Sequence, residues 1–520
     1  MARIGPTMDV GRIRHHAGKV ASAAWPLANK AVTLAPPLTS AILSRVHTAP
    51  GAETAVRGFS AHATQAQRLA QLTAALDAAG VAYVDLTTYD LAHRRTLVIA
   101  EADRVRLQRQ VVPALARQGW TSRAGRSSVA LWRDVVAPPH HDVLLGADAR
   151  ITVEWWAESS PDQRQYPPGS LVAPPWRRTM YLAPGTVAAA QTGDHRLPVE
   201  RSRGVHDGRV GFPVDLVITW VDGADPAWRA SYAATLDRPE PPAPERFTAH
   251  DELRYLLRSV EYFASWARQV ILVVGQAPPA WLDLNHPKLR VVHHEEFMPA
   301  GHLPTFNSHS IESRLHHIDG LSEHFCYLND DIFFGRPVTP DVFFLSNGMP
   351  VFFPSLATPL DPNPLSPHDS PATGARKQAR DLLLADLGFL VTRRLEHTPY
   401  AMRVSLLTEM EERWPEVFAK TAASRLRRAR DYPIEAFLAQ WYGYATGRAV
   451  PGRLPHAYVP VAKSRARLQY AALMGRTKDV FCLNEGPEGQ SAPRGTAPAY
   501  RAMARFLEAY FPVPSTFERP

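Results

Sequence analysis

Cysteine is nearly absent. Cys326 and Cys482 are the two thiols of a 520-residue chain, too few for a disulfide framework, so the reducing cytoplasm, extending to the inner face of the plasma membrane, is the expected setting. Long apolar runs are missing too. The most apolar N-terminal stretch, Val20 to Leu43, carries Lys30 and is broken by Pro26, Pro36 and Pro37, whereas a spanning helix needs ~20 apolar residues in succession. The first 18 residues have no compact apolar run behind their basic ones, which argues against a secretion signal. There is little excess of one charge: 58 basic residues face 50 acidic ones, for a formal net charge of +8. Spread over this length, that surplus is no nucleic-acid footprint; it suits anionic small molecules or a loose attraction to acidic membrane surfaces. A Walker A loop, a CxxC pair, HExxH and GxSxG are all absent. P-loop nucleotide hydrolysis, zinc-ribbon binding and serine-hydrolase chemistry lose support accordingly.

What the chain does have is proline, 47 residues against 30 glycines, within a composition that is 45% hydrophobic. That is enough for a packed core and too long for one ordinary domain. Residues 1–58 read as a flexible basic and apolar leader, with peripheral membrane attachment through Arg12, Arg14 and Lys19 as the lesser alternative. Residues 59–205 read as an accessory α+β domain: a helix over Gln65–Ala79, strands at Val81–Leu86, Arg95–Ala100, Ser128–Trp132 and Arg150–Trp156, and an amphipathic helix from Glu101 ended by Gly119. Nothing in this part has catalytic spacing. Residues 206–520 alternate strand-like and helix-like blocks, which implies an α/β fold with a mainly parallel sheet covered on both faces. Proline-rich breaks at Arg238–Arg246, at 350–371 with its seven prolines, and after Glu485 read as loops or lids.

Open α/β sheets bind ligands at the carboxyl ends of their strands. There LVITW runs into Asp222-Gly223-Ala224-Asp225, and FCYLN into Asp330-Asp331. Such carboxylates need solvent, a partner or a cation, and oxygen ligands of this kind suit Mg²⁺ or Mn²⁺. Taken alone, Asp222 and Asp225 would cap a turn, and Asp331 the next helix. Arg254 and Arg258, four apart on a helix, have the spacing to present guanidinium groups to phosphate, although taken alone they are better explained by a salt-bridged surface helix. Thr305, Asn307, Ser308 and His309 make a short polar stretch suited to a sugar or nucleobase. His397 opens an expected long amphipathic helix through Arg403, Leu406, Met410 and Trp414, and Arg425, Arg427, Arg428 and Arg430 form a basic run.

In order, these segments resemble the Stealth family of hexose-1-phosphate transferases. DLVITWVDGADPAWR (Asp215 to Arg229) is similar to its first conserved region, Asp251 to Val338 to its second, His397 to Asp431 to its third, and FCLNEG (Phe481 to Gly486) to its fourth. Two positions depart. The fourth region usually reads CLND, and here Glu485 replaces the aspartate; the Gly275-Gln276 pair stands one position earlier than is common in the family.

The resemblance implies a glycosyltransferase-A-like catalytic fold that passes sugar-1-phosphate from a UDP-sugar to a hydroxyl of a polysaccharide or lipid-linked glycan, in capsule or cell-surface polysaccharide synthesis. It also implies roles. Trp220, Val221 and Asp222 would contact the nucleotide-sugar; Asp330, Asp331 and Glu485 would hold a divalent metal, Mg²⁺ or Mn²⁺; Arg254 and Arg427 would neutralise phosphate. His397 would be the general base or bind the reacting phosphate, Asn307, Ser308 and Asn484 would fix the sugar, and Arg403 would belong to the same site. Asp222, Asp331, His397 and Arg427 are the expected catalytic set. The alternatives are an ordinary glycosyltransferase releasing UDP and a non-catalytic binding module, for which Glu485 is the one argument. No nucleic-acid partner is expected, and the oligomeric state is left open.

Overall fold

The computed structural model describes residues 51–85, 95–138, 142–160, 163–165, 180–181, 210–236, 247, 249–484 and 497–520. The expected leader up to residue 50, the Arg238–Arg246 break and Glu485 lie outside the described residues.

The N-terminal helix runs over Ala61–Ala78, with the Ser60 side chain accepting from the Ala63 amide at its start. It covers a sheet whose central pair is Arg95–Ala100 and Ile151–Ser160, in parallel. Leu72, Leu76, Leu97, Leu107, Leu115 and Val153 form its dry core. A second, three-stranded sheet (Glu53–Thr54, Val135–Ala137, Asp142–Leu145) packs into the core of the C-terminal part. Phe59 meets Tyr262 edge-on at 5.1 Å, and the Ser60 and Ser265 hydroxyls are 2.8 Å apart.

The central sheet contains β1 (Val214–Trp220), β2 (Val270–Val274), β3 (Leu289–His293), β4 (His324–Asn329) and, after a short strand β5 (Ile332–Phe334), β6 (Tyr400–Arg403). Its order is β3-β2-β1-β4-β6, parallel throughout except for β6. All five residues of β2 are buried, as expected where helices cover both faces of a sheet. The helices that bear on the site are α1 (Pro226–Thr235), α2 (Glu252–Phe263), α3 (Ser308–Glu312), α4 (Pro371–Leu387) and α5 (Val404–Arg413). The α/β reading with a mainly parallel sheet therefore holds. A side sheet joins β5 to β7 (His456–Pro460) and β8 (Val480–Asn484).

Three local expectations are corrected. After FCYLN and Asp330-Asp331 the chain forms a second strand and not the helix expected there, because it turns at the two acids and β5 leaves the central sheet to pair with β8. Tyr400–Arg403 is a strand, not the start of a helix. Its buried Tyr400, Ala401 and Met402 pair with Tyr327, Cys326 and Phe325, and sheet pairing there outweighs the helical spacing of the residues that follow. The 350–371 break contains strands at Val351–Phe352 and Pro354–Pro359 and is tied down beyond them: buried Lys377 of α4 bonds both Asp361 and Asp369, and Arg380 bonds the Asp361 carbonyl at 2.7 Å.

Candidate active site

The four parallel strands end on one edge of the central sheet, and antiparallel β6 begins there. Asp222 follows β1 in a tight turn. Gly223 is required within it, since a Cβ would lie 2.7 Å from the Phe247 Cβ and 2.8 Å from its carbonyl oxygen. Asp222 Oδ1 accepts from the Ala224 amide at 2.8 Å, and Asp225 caps α1 by accepting from Trp228 N at 2.7 Å. Gln276, just beyond β2, clamps the Asp222 backbone from both sides: Oε1 accepts from its amide and Nε2 donates to its carbonyl, each at 3.2 Å. The shifted Gly275-Gln276 pair thus has a defined place at the edge. Among the described residues Asp222 Oδ2 has no hydrogen bond.

Asp330 and Asp331 are the turn between β4 and β5, so Asp331 caps no helix. Its Oδ2 is reached by the Cys482 thiol at 3.3 Å and by Asn484 Nδ2 at 3.4 Å, while its carbonyl accepts from Leu483 N at 3.0 Å. Burial, reinforced by Asp331, pushes the Cys482 thiol far up, so the thiol stays protonated and donates. Among the described residues, Asp331 Oδ1 is buried without a hydrogen-bond partner. An orphaned carboxylate oxygen is costly in a dry site unless a cation or a ligand proton meets it. Across from it, Glu252 opens α2. Burial raises its carboxyl to about 7 against hydrogen bonds from backbone amides, and the nearby charge of Asp331 acts in the same direction. The preceding residue, Asp251, has a left-handed backbone at φ 66°.

The buried Tyr327 hydroxyl lies 3.1 Å from Thr219 Oγ1, 2.9 Å from Asn329 Oδ1 and 3.3 Å from Glu312 Oε1. Tyr400 stands beside it, and its hydroxyl is pushed up by burial first and then by the charges of Glu312 and Asp331, with Arg376 opposing. His397 precedes β6, its ring 6.5 Å from Tyr400 and 5.9 Å from Tyr458, which is the strand partner of Cys482. Among the described residues, His397 Nδ1 is buried without a hydrogen-bond partner.

A second cluster adjoins the Asp222 turn. Arg427 donates to the Ser308 hydroxyl at the start of α3. Val221, Phe306 and Leu426 pack with Trp228 and Tyr232, joining this loop pair to the end of β1. Asn307 has the opposite of its expected role. It is fully buried, and its amide donates to the Ser424 carbonyl at 2.8 Å and to Asp431 Oδ2 at 2.9 Å while accepting from His309 N. It fastens the loop that carries Arg427 and has no donor left for a sugar.

Two further expectations change. Arg403 pairs with Glu323 at 2.9 Å on the amino-terminal edge of the sheet, its register partner being His324. That is about 10 Å along the strand from Tyr400 and on the wrong side for the site. Arg254 lies 4.9 Å over the Trp281 ring and 3.7 Å from Glu518, and Arg258 bonds both Glu518 oxygens at 2.8 Å. For Arg258 the buried Glu518 carboxylate thus takes the place expected for a phosphate, and Arg254 lies beside it over Trp281. The structure therefore gathers Trp220, Val221, Asp222, Ser308 and Arg427 in one group, and Asp330, Asp331, His397 and Asn484 in another. Sequence reasoning missed Glu252, Glu312, Tyr327, Tyr400 and Cys482, and noted Gln276 only as a shifted loop position. Only Glu252 had a signal, its place directly after the turn that opens α2.

Comparison with known proteins follows the same blocks. Stealth protein conserved regions 1, 2, 3 and 4 match residues 212–239, 246–352, 396–444 and 472–520. The fourth therefore extends well past Gly486. An exopolysaccharide phosphotransferase of Streptomyces coelicolor is 40% identical over 86% of this chain and 81% of its own length. A second from that organism is 36% identical over 88% and 90%. The exopolysaccharide phosphotransferase CpsY of Mycobacterium tuberculosis is 39% identical over 60% of this chain and 59% of its own. Among solved structures, an active-site variant of LgtC aligns with 56% of this chain and 95% of its own, at 11% identity and a TM-score of 0.30, too loose a likeness to carry an argument. Among the described residues no helix is long and apolar enough to cross a membrane.

Proposed function

This chain belongs to the Stealth family, and on that premise we propose that it is a phosphotransferase of exopolysaccharide synthesis that moves sugar-1-phosphate from a UDP-sugar to a hydroxyl of a polysaccharide or lipid-linked glycan. The acceptor oxygen bonds to the sugar-side phosphorus of the diphosphate, the bond from that phosphorus to the oxygen bridging it to the uridine-side phosphate breaks, and UMP leaves. The observation that carries this reading is the contact of the fourth matched region with the second: Cys482 and Asn484 both reach Asp331, about 150 residues earlier in the chain.

In this reading the turn after β1 receives the nucleotide-sugar, held in shape by Gln276. Arg427, steadied on Ser308 Oγ, offsets charge on the phosphate oxygens as the bond forms. His397 has no hydrogen bond to Nε2 among the described residues, and this nitrogen takes the acceptor proton as general base. The orphaned Asp331 Oδ1 and the all-oxygen character of Asp330-Asp331 fit Mg²⁺ or Mn²⁺, which keeps few protein ligands when substrate phosphates supply the rest. Such an ion would neutralise diphosphate charge and orient the leaving group. Asn484 orients Asp331 and reaches toward the sugar.

Phosphorus NMR of the protein with Mg²⁺, a panel of UDP-sugars and oligosaccharide acceptors tests the proposal. UMP together with a new phosphodiester resonance is the expected result. UDP in its place would make this an ordinary glycosyltransferase.

A further inference from the structure

Two imidazoles and a carboxylate converge outside the site described above. His316 and His317 lie in the short turn Leu315–His317 that leads from α3 toward β4, and Glu411 lies near the end of α5. His316 Nε2 and His317 Nε2 approach the same oxygen, Glu411 Oε2, at 2.7 and 2.6 Å. One ligand atom from each of the three side chains lies within 4.8 Å of the other two, and among the described residues no other trio of His, Cys, Asp or Glu does so.

The surroundings hold these groups in place. Arg314 bonds the other carboxylate oxygen, Glu411 Oε1, which leaves Oε2 turned to the rings. The His316 side chain is 2% exposed and its ring stands edge-on to Phe418 at 5.8 Å, so its direction is fixed by packing. His317 and Glu411 reach solvent, with side chains 38% and 24% exposed. One flank of the trio is therefore open to water.

We propose that His316, His317 and Glu411 form a binding site for a Zn²⁺-type transition-metal ion, with solvent water completing its coordination. Two imidazole nitrogens and one carboxylate oxygen are a borderline donor set that favours Zn²⁺ over Mg²⁺. The oxygen-only Asp330-Asp331 turn has the reverse preference, so the two places select different ions. In the metal-free state the rings donate to Glu411, which keeps all three ligands assembled; entry of the ion replaces those hydrogen bonds. The bound ion braces the segment leading into β4, which runs on into the Asp330-Asp331 turn, against the helix that follows β6, which starts at Tyr400. Its role is structural, and the site stands whether or not the proposed transfer reaction is correct.

The test uses full-length, tag-free, chelator-stripped protein with excess Mg²⁺ present to occupy oxygen-only sites. Zn²⁺ is titrated in competition with a chromophoric chelator, and Co²⁺ is added separately to read coordination from its visible spectrum. The expected result is one tight equivalent of Zn²⁺ and a low-coordinate Co²⁺ spectrum for both the unaltered protein and Asp331→Asn. His317→Ala, at a half-exposed ring, and Glu411→Gln each weaken binding at least ~100-fold, while their zinc-free melting shows that they are folded. Unchanged affinity in those two variants, or no tight equivalent in the unaltered protein, overturns the proposal.

Discussion

Gln276 and Asp222 hold one another through two 3.2 Å hydrogen bonds, side-chain amide to backbone on both sides, across the ends of two neighbouring strands. The turn that is to receive the nucleotide-sugar thus takes its shape from a residue on the next strand. Gln276→Leu leaves the Asp222 amide and carbonyl without these partners, a loss of about 1–3 kcal/mol in a half-buried turn. The expected outcome is a donor KM raised ~10-fold or more with a smaller change in kcat, measured by steady-state kinetics at saturating acceptor. An unchanged KM would detach the turn from donor binding.

Asp331 and His397 each carry a buried polar atom without a partner among the described residues. Asp331→Asn and His397→Ala should each lower turnover at least ~100-fold, the range for removing a charge stabiliser or general base. Circular dichroism and melting should show the fold intact. Near-normal rates in both would remove these residues from the chemistry.

Arg403 separates family resemblance from geometry. Its guanidinium sits with Glu323 at the far edge of the sheet, and both side chains are 30–40% exposed. A half-exposed pair of this kind contributes about 0.2–1 kcal/mol. Arg403→Ala should leave kcat and both KM values within a factor of about two and shift the melting temperature by only a few degrees. A large kinetic loss at normal stability would restore Arg403 to the site.

Glu252 gives a pH signature. Its carboxyl is raised from 4.5 to about 7 in the folded protein, burial being the main cause. A raised carboxyl favours the folded state fully below its unfolded value, and that contribution is lost as pH climbs from 4.5 through about 7. The loss is on the order of 3 kcal/mol. Glu252→Gln removes the charging step, so its melting temperature should gain on that of the unaltered protein between about pH 5 and pH 8. A constant difference across that range would contradict the buried carboxyl.

The strands were legible because parallel sheets covered on both faces leave near-continuous apolar runs, as in VILVV of β2. The Asp222 and Asp331 acids were legible because they follow such runs directly. Tyr400–Arg403 misled because its apolar residues also fit the helix that begins at Val404; only pairing with β4, distant in sequence, makes it a strand. Arg254 and Asn307 misled for a related reason. Their partners Glu518 and Asp431 lie 264 and 124 residues away, and local spacing carries no trace of such contacts. The thiol of Cys482 became informative only once β8 was seen beside the Asp331 turn.

The most direct test of the account is the fate of the sugar-side phosphorus. A UDP-sugar radiolabelled at that phosphorus is incubated with the protein, Mg²⁺ and a glycan acceptor, and polymer and nucleotide fractions are separated. Transfer of sugar-1-phosphate predicts that the label enters the glycan while unlabelled UMP is released. Label leaving in UDP, with an unlabelled sugar added to the acceptor, would contradict it.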